Sequence, residues 1–267
     1  MMRSTLVSLS LTLLLCGAAG QASAAEPTLD EIIARTNHAA YYQGKDGRAR
    51  VKMTITDKQG RKRERELTIL RRNSDEKKDA DQQYYVYFHG PADVAKTVFM
   101  VHKKVSGDDD RWLYLPGLDL VKRIAAADKR TSFVGSDFVY EDVSGRGLTE
   151  DTHKLTKTTK SYYVLEHVPR SRDKVNFARY VMYVHLTTFL PTKVEYYNDK
   201  GEIIRVMTVD KVEKIQGYPT PVRTTMEDRA SGSKTTIEYS NIEYDLKLPD
   251  DIFTERYLRR APIKFIK

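Results

Sequence analysis

The sequence predicts a mainly β chain of the α+β class, an antiparallel sheet curled into a partial barrel and plugged by a few helices. Three observations lead there. A dominant two-residue period runs from Arg48 onward, through about eleven strand-like segments joined by short turns. Several middle segments are apolar on both parities, so both faces of the sheet must be covered. Only three stretches offer helix to do the covering, and curling resolves that imbalance.

Composition narrows the class before any element is placed. Of 267 residues, 40% are apolar, which excludes a disordered polymer, and 31% are charged, which excludes a multi-pass membrane protein. The 45 Lys and Arg exceed 37 Asp and Glu by a formal +8, a modest excess for this length. Seventeen Tyr stand beside a single Trp and a single Cys.

Residues 1–24 read as an export signal. Arg3 is the only charge, an apolar run follows from Leu6 to Gly20, and Ala22-Ser23-Ala24 supplies the small-x-small cleavage pattern. The run is too short for a spanning helix. Cleavage is expected after Ala24. The rival, acylation of Cys16, is disfavoured by the bulky Leu15 before it. Cleavage leaves residues 25–267 as one domain of 243 residues, net +7 and free of cysteine, with neither disulfides nor thiolate chemistry. The periplasm is the expected compartment.

Thr28-Leu29-Asp30-Glu31 opens a helix with a capping box, and Leu29, Ile32, Ile33, Thr36 and Ala40 keep one apolar stripe as far as Tyr42. From Arg48 to Ile55 charged and apolar residues alternate perfectly, a strand wet on one face. Asp57 to Gly60 turns it into Glu64 to Leu70. A charged loop from Arg71 to Asp81 leads to Gln83 to Phe88 and Thr97 to Val101. Pro116-Gly117 joins Arg111 to Leu115 with Leu120 to Ile124. Ala125 to Thr152 is irregular. Strands resume at Tyr162 to Val168, Tyr180 to Thr187, Thr192 to Tyr197, Ile203 to Val212, Val222 to Glu227 and Thr235 to Tyr244, with hairpin-sized connections. A short helix is expected near Asp250 to Leu258. Such short connections require an antiparallel meander. On the residues alone, the aromatic strands read either as a Tyr-rich core or as a greasy cavity rimmed by Tyr.

Between Arg111 and Asp142 lie Trp112-Leu113-Tyr114-Leu115-Pro116, Lys122-Arg123-Ile124, Phe133 with Gly135-Ser136-Asp137-Phe138, and Tyr140-Glu141-Asp142. In these blocks the chain resembles the LolA-like outer membrane lipoprotein-sorting family, in the branch associated with MMPL/RND-type transporters. Looser similarity extends through His167 to Pro169, Leu190 to Lys193 and Leu248 to Phe253. The resemblance implies an unclosed antiparallel half-barrel with helices over its concave face, around a hydrophobic cavity for acyl chains. It also implies a basic residue coupling lid opening to loading, for which Arg50, Arg123 and Arg205 are all open. Met53, Tyr87, Phe99, Trp112, Tyr114, Phe138 and Met182 are the expected cavity lining. Gly135, Ser136, Asp137, Glu141 and Asp142 are the expected lid or partner edge. In that edge Ser136 or Asp137 would cap a helical turn, with Phe138 inward and Glu141 and Asp142 outward. The same edge also reads as a structural loop pinned by Phe133 and Phe138.

Catalytic chemistry finds no constellation. The six His lack metal-ligand spacing, Asp108-Asp109-Asp110 lacks the alternation of a calcium loop, and neither a nucleophile elbow nor a phosphate loop occurs. The expectation is a non-enzyme without metal or cofactor. Basic runs such as Arg61 to Arg63, Lys154 to Lys160 and Arg259-Arg260 are interspersed with acids. They are solvated faces or, in an exported protein, contacts to an anionic membrane surface rather than to nucleic acid. The leading expectation is a periplasmic carrier that takes a lipid or lipoprotein acyl chains from an inner-membrane MMPL/RND-type transporter towards the outer membrane. The alternative is a non-carrier regulatory subunit that docks on such a transporter.

Overall fold

A computed structural model describes residues 26–75 and 78–267. The expected signal segment lies outside the described residues. The Thr28 capping box forms: Glu31 N–H donates to Thr28 Oγ1 and Thr28 N–H to the Glu31 carboxylate, at 3.3 and 2.7 Å. It starts α1 (Leu29–Asn37), which widens into a π turn over His38–Tyr42.

Thirteen strands follow among the described residues. The first six are β1 (Asp46–Thr56), β2 (Lys62–Asn73), β3 (Gln82–Gly90), β4 (Val98–Lys103), β5 (Asp110–Leu115) and β6 (Leu120–Arg123). A segment over residues 124–150 carries α2 (Tyr140–Ser144). Then come β7 (Asp151–Thr158), β8 (Tyr162–Pro169), β9 (Arg179–His185), β10 (Pro191–Tyr197), β11 (Ile203–Ile215), β12 (Tyr218–Asp228) and β13 (Ser233–Tyr244). The chain closes with α3 (Arg256–Arg259) and α4 (Ile263–Ile266).

All thirteen strands form one antiparallel sheet in the order β6-β5-β4-β3-β2-β1-β13-β12-β11-β10-β9-β8-β7. Two sequential meanders are thus sewn together at β1 and β13, where Met53 lies opposite Ile237. The free edges are β6 and β7, the two strands that residues 124–150 join. The half-barrel stays open between them, bridged by a segment rather than by hydrogen-bonded strands. No described helix is long and apolar enough to cross a membrane.

The first meander is covered on both faces. On the inner face Val51, Met53, Leu67, Val86 and Phe99 pack under Ile124, Phe133, Phe138 and Tyr140 of the bridging segment. On the outer face Leu70, Tyr85, Met100 and Trp112 pack under Leu248, Ile252, Phe253, Leu258 and Ile266 of the C-terminal segment. This is why those strands are apolar on both parities. In the second meander, α1 and its π turn lay Ile32, Ile33 and Ala39 on Leu165, Val184, Phe189 and Leu190.

The structure departs from the sequence expectation in β7, which falls partly in the stretch read as irregular and partly in a basic run. It is an edge strand, buried at Asp151 and half-buried at His153 and Leu155. With so little of its surface covered, its Lys and Thr residues meet water and leave the two-residue period weak.

Candidate functional site

Between α1, α2 and the inner face of the sheet, chiefly its second meander but reaching Ala49, Ile69 and Tyr84 of the first, lies a cavity of about 400 Å³, within the range of small-molecule sites. Its apolar wall is built by Ile33, Leu165, Met182, Val194, Met207 and Met226. Each sits on an inward parity of its element, so the second meander leaves open what the first fills with aromatic side chains. Tyr41, Tyr84, Tyr180, Tyr196, Tyr239 and Tyr244 also border it, six of the 17 tyrosines. Burial raises the phenol pKa of Tyr41, Tyr84 and Tyr180, and pushes Tyr196 and Tyr239 up to about 12, so all of them stay neutral.

One side of the cavity is a network of buried charge. Glu141, 2% exposed, accepts from Arg130 at 2.9 Å and Arg146 at 3.2 Å, and lies 2.9 Å from Lys129. Arg146 Nε also donates to both oxygens of Asp151 at 3.0 Å, and Tyr180 Oη donates to the same carboxylate at 2.8 Å. Burial alone would raise the Glu141 carboxyl; Lys129, Arg130 and Arg146 outweigh it and hold the group at about 2. The guanidinium of Arg130 lies 4.9 Å from the Phe177 ring centre, and that of Arg205 5.1 Å from Tyr196.

Side chains of β4, β11 and β13 tie the bridging segment to the sheet. Arg205 on β11 donates to the Asp142 carboxylate at 2.6 Å and to the Asp137 carbonyl at 3.1 Å. The Asp137 carboxylate accepts from Ser233 Oγ and, at 2.6 Å, from Thr235 Oγ1 on β13. Lys103 Nζ donates to the Ser144 and Gly145 carbonyls at 2.8 Å, closing the C-terminus of α2. Gly145 has φ +78°, and a Cβ there would lie 2.5 Å from the Tyr41 ring, so the π turn that ends α1 and the end of α2 meet only because position 145 has no side chain.

A histidine pair completes the rim. His153 Nδ1 and His167 Nδ1 are 2.7 Å apart, and His153 Nε2 donates to the Leu148 carbonyl at 2.8 Å. With both rings neutral, that carbonyl fixes the proton of His153 on Nε2, so His167 Nδ1–H must be the donor between them. His167 Nε2 is then a bare lone pair, buried without a partner, and the ring stacks on Tyr180 at 4.5 Å. Burial and the neighbouring His153 drive the His167 pKa down to about 3.

Of the lining expected from sequence, Phe138 and Met182 border the cavity. Met53 and Phe99 lie on the inner face, but inside the packed cluster beneath the bridging segment. Tyr87, Trp112 and Tyr114 lie on the opposite, outer face against the C-terminal segment. In the expected lid edge, Gly135 and Ser136 form a tight turn in which Ser136 Oγ donates to the Phe133 carbonyl at 2.7 Å. Neither Ser136 nor Asp137 caps α2; the Asp142 carboxylate instead accepts from Val139 N–H at 2.8 Å. Glu141 and Asp142 point inward, not outward, because Arg130, Arg146 and Arg205 wait there. Of the three basic residues left open, Arg205 is the one that holds the bridging segment; Arg123 pairs with Asp110, and Arg50 lies 4.0 Å from Glu66. Lys129, Arg130, Arg146 and the histidine pair carried no sequence signal of burial. Among the described residues, no group of three metal-ligating side chains comes together.

Comparison with known proteins shows what this arrangement belongs to. A family model described as an uncharacterized protein matches residues 80–260. No curated protein matches. A DUF1329 family protein from Desulfovibrio piger superposes with a TM-score of 0.77 at 28% identity, over 85% of this chain and 96% of that one. A structure described as an outer membrane lipoprotein-sorting protein domain, from Vibrio parahaemolyticus, gives 0.78 at 26%, over 86% and 97%. A LolA superfamily protein from Nitrosomonas europaea shares the fold, with a TM-score of 0.66 at 20% identity over 86% and 99%. With a model spanning more than half its length, the chain belongs to this DUF1329-like family, and it shares its fold with the lipoprotein-sorting domain and the LolA superfamily protein.

Proposed function

We propose that the protein is a periplasmic carrier that holds a lipid, or the acyl chains of a lipoprotein, in the cavity of the second meander. It would receive this cargo from an inner-membrane transporter of the MMPL/RND class and release it towards the outer membrane. The observation that carries the reading is the open apolar space between α1 and the strands, in a fold whose first meander is filled where the bridging segment covers it. Affinity would come from burial, at ~0.8 kcal/mol per CH2 group. No covalent step is needed: the neutral tyrosines offer hydroxyls at the rim, and the ion-paired charges keep water-loving groups off the apolar wall.

Native mass spectrometry and lipid extraction of protein purified from the periplasm test this. A bound hydrophobic molecule, lost from Met182→Asp and from the space-filling Met207→Trp, is the expected result. Protein that carries nothing hydrophobic, and that co-purifies with a transporter equally well when Met207→Trp blocks the cavity, would instead make it a docking subunit without cargo.

A further inference from the structure

The β5–β6 hairpin leaves two large apolar side chains in solvent. Leu118 is 73% exposed, the highest of the exposed large hydrophobic residues, and Leu120 is 45% exposed. Single exposed leucines are ordinary, but these two share one turn, at the free edge of the sheet. Charges on an edge strand protect against unwanted pairing, which accounts for Lys122 and Arg123. It does not account for leucines at the tip.

The C-terminal segment brings cations to the same place. Arg259 of α3 donates through Nε to the Asp119 carboxylate at 2.9 Å and through Nη2 to the Asp119 carbonyl at 3.2 Å, which fixes α3 beside the tip. Residues 116–123 and 255–267 hold seven Lys and Arg against Asp119 and Glu255. Arg259 is taken by Asp119 and Arg123 by Asp110. Lys122, Arg256, Arg260 and Lys264 are exposed and form no ion pair among the described residues.

We propose that the β5–β6 tip and the adjoining face of α3 are a docking surface for an anionic lipid bilayer. Leu118 and Leu120 at the tip enter the headgroup layer, while Lys122 on the inner-face side of the hairpin and Arg256 and Arg260 on the outer-face side meet the phosphates around it. A wet, acidic protein surface would match the cations but not the leucines; a bilayer matches both. This surface lies outside the cavity lining, so it operates whether or not the cavity is loaded.

Co-sedimentation of the purified chain with vesicles of phosphatidylethanolamine and phosphatidylglycerol, against vesicles of phosphatidylcholine alone, tests it. The protein should sediment with the anionic vesicles and be released by salt. Leu118→Asp with Leu120→Asp should weaken binding at least tenfold, and Arg256→Gln and Arg260→Gln about fivefold each. Unchanged thermal midpoints confirm that the variants fold. Failure to sediment, equal sedimentation with neutral vesicles, or indifference to the paired aspartates would overturn the proposal. So would loss of capture of an acidic protein by the aspartate variant while its vesicle binding persists. Lipid extracted from that same variant should match the parent, so loss of cargo and loss of docking are read separately.

Discussion

At the scale of single residues, the buried titratable groups set how the protein answers pH. His167 is 4% exposed and its pKa is depressed to about 3 by burial and His153, against about 6.5 in an unfolded chain. The folded state therefore binds fewer protons than the unfolded one, and the stability this gives is complete above about pH 6.5 and lost as pH falls towards 3. Unfolding in urea at about pH 7 and pH 5 should show a loss of about 2 kcal/mol, and His167→Phe should remove most of the difference. A parent and variant with parallel pH profiles would mean that the histidine does not titrate as placed. Glu141 acts in a separate window. Its carboxyl is held at about 2, so its contribution is present above about pH 4.5 and disappears only below it.

At the scale of elements, the bridging segment depends on charge pairs whose removal is asymmetric. Arg205 is 5% exposed, its Nε and Nη1 already lack partners, and Asp142 is the carboxylate that compensates it. Asp142→Asn should cost about 3–5 kcal/mol in urea unfolding, whereas Asp142→Leu with Arg205→Met should cost less than the sum of the single changes. Additive losses would show that the pair does not hold the segment as a unit. Gly145→Ala should also destabilise the contact between the π turn and α2, because the added Cβ meets the Tyr41 ring at a positive φ; a thermal midpoint equal to the parent's would contradict that packing. What the sequence made legible here was local. Thr28 and Glu31 are three residues apart and declare their cap, and the alternation from Arg48 to Ile55 declares its wet face. The parity of Tyr87, Trp112 and Tyr114 was not legible, since their strands are apolar on both sides. Only Leu248 to Ile266, far along the chain, decides which face those rings join. The burial of Lys129, Arg130 and Arg146 left no trace in the sequence for a similar reason: the carboxylates and rings that pull them inward lie on other elements.

Across the whole molecule, the two meanders differ in how their faces are covered, and that difference should show in their dynamics. Strands β3 to β5 carry apolar cover on both sides, from the bridging segment and from the C-terminal segment. Strands β8 and β9 carry α1 on the inner face, β8 to β11 all border an open cavity, and their remaining positions are largely half-buried or exposed. Local opening follows low apolar contact and unfilled space. Amide hydrogen exchange should therefore be slowest in β3 to β5 and faster in β8 to β11. A cargo that binds only the folded cavity adds stability by mass action, and that gain should appear as slowed exchange in β8 to β11 and α1, with little change in β3 to β5. Equal slowing in both meanders would indicate global stabilisation without a site in the second one, and slowing confined to β3 to β5 would move the cargo to the face that the bridging segment fills.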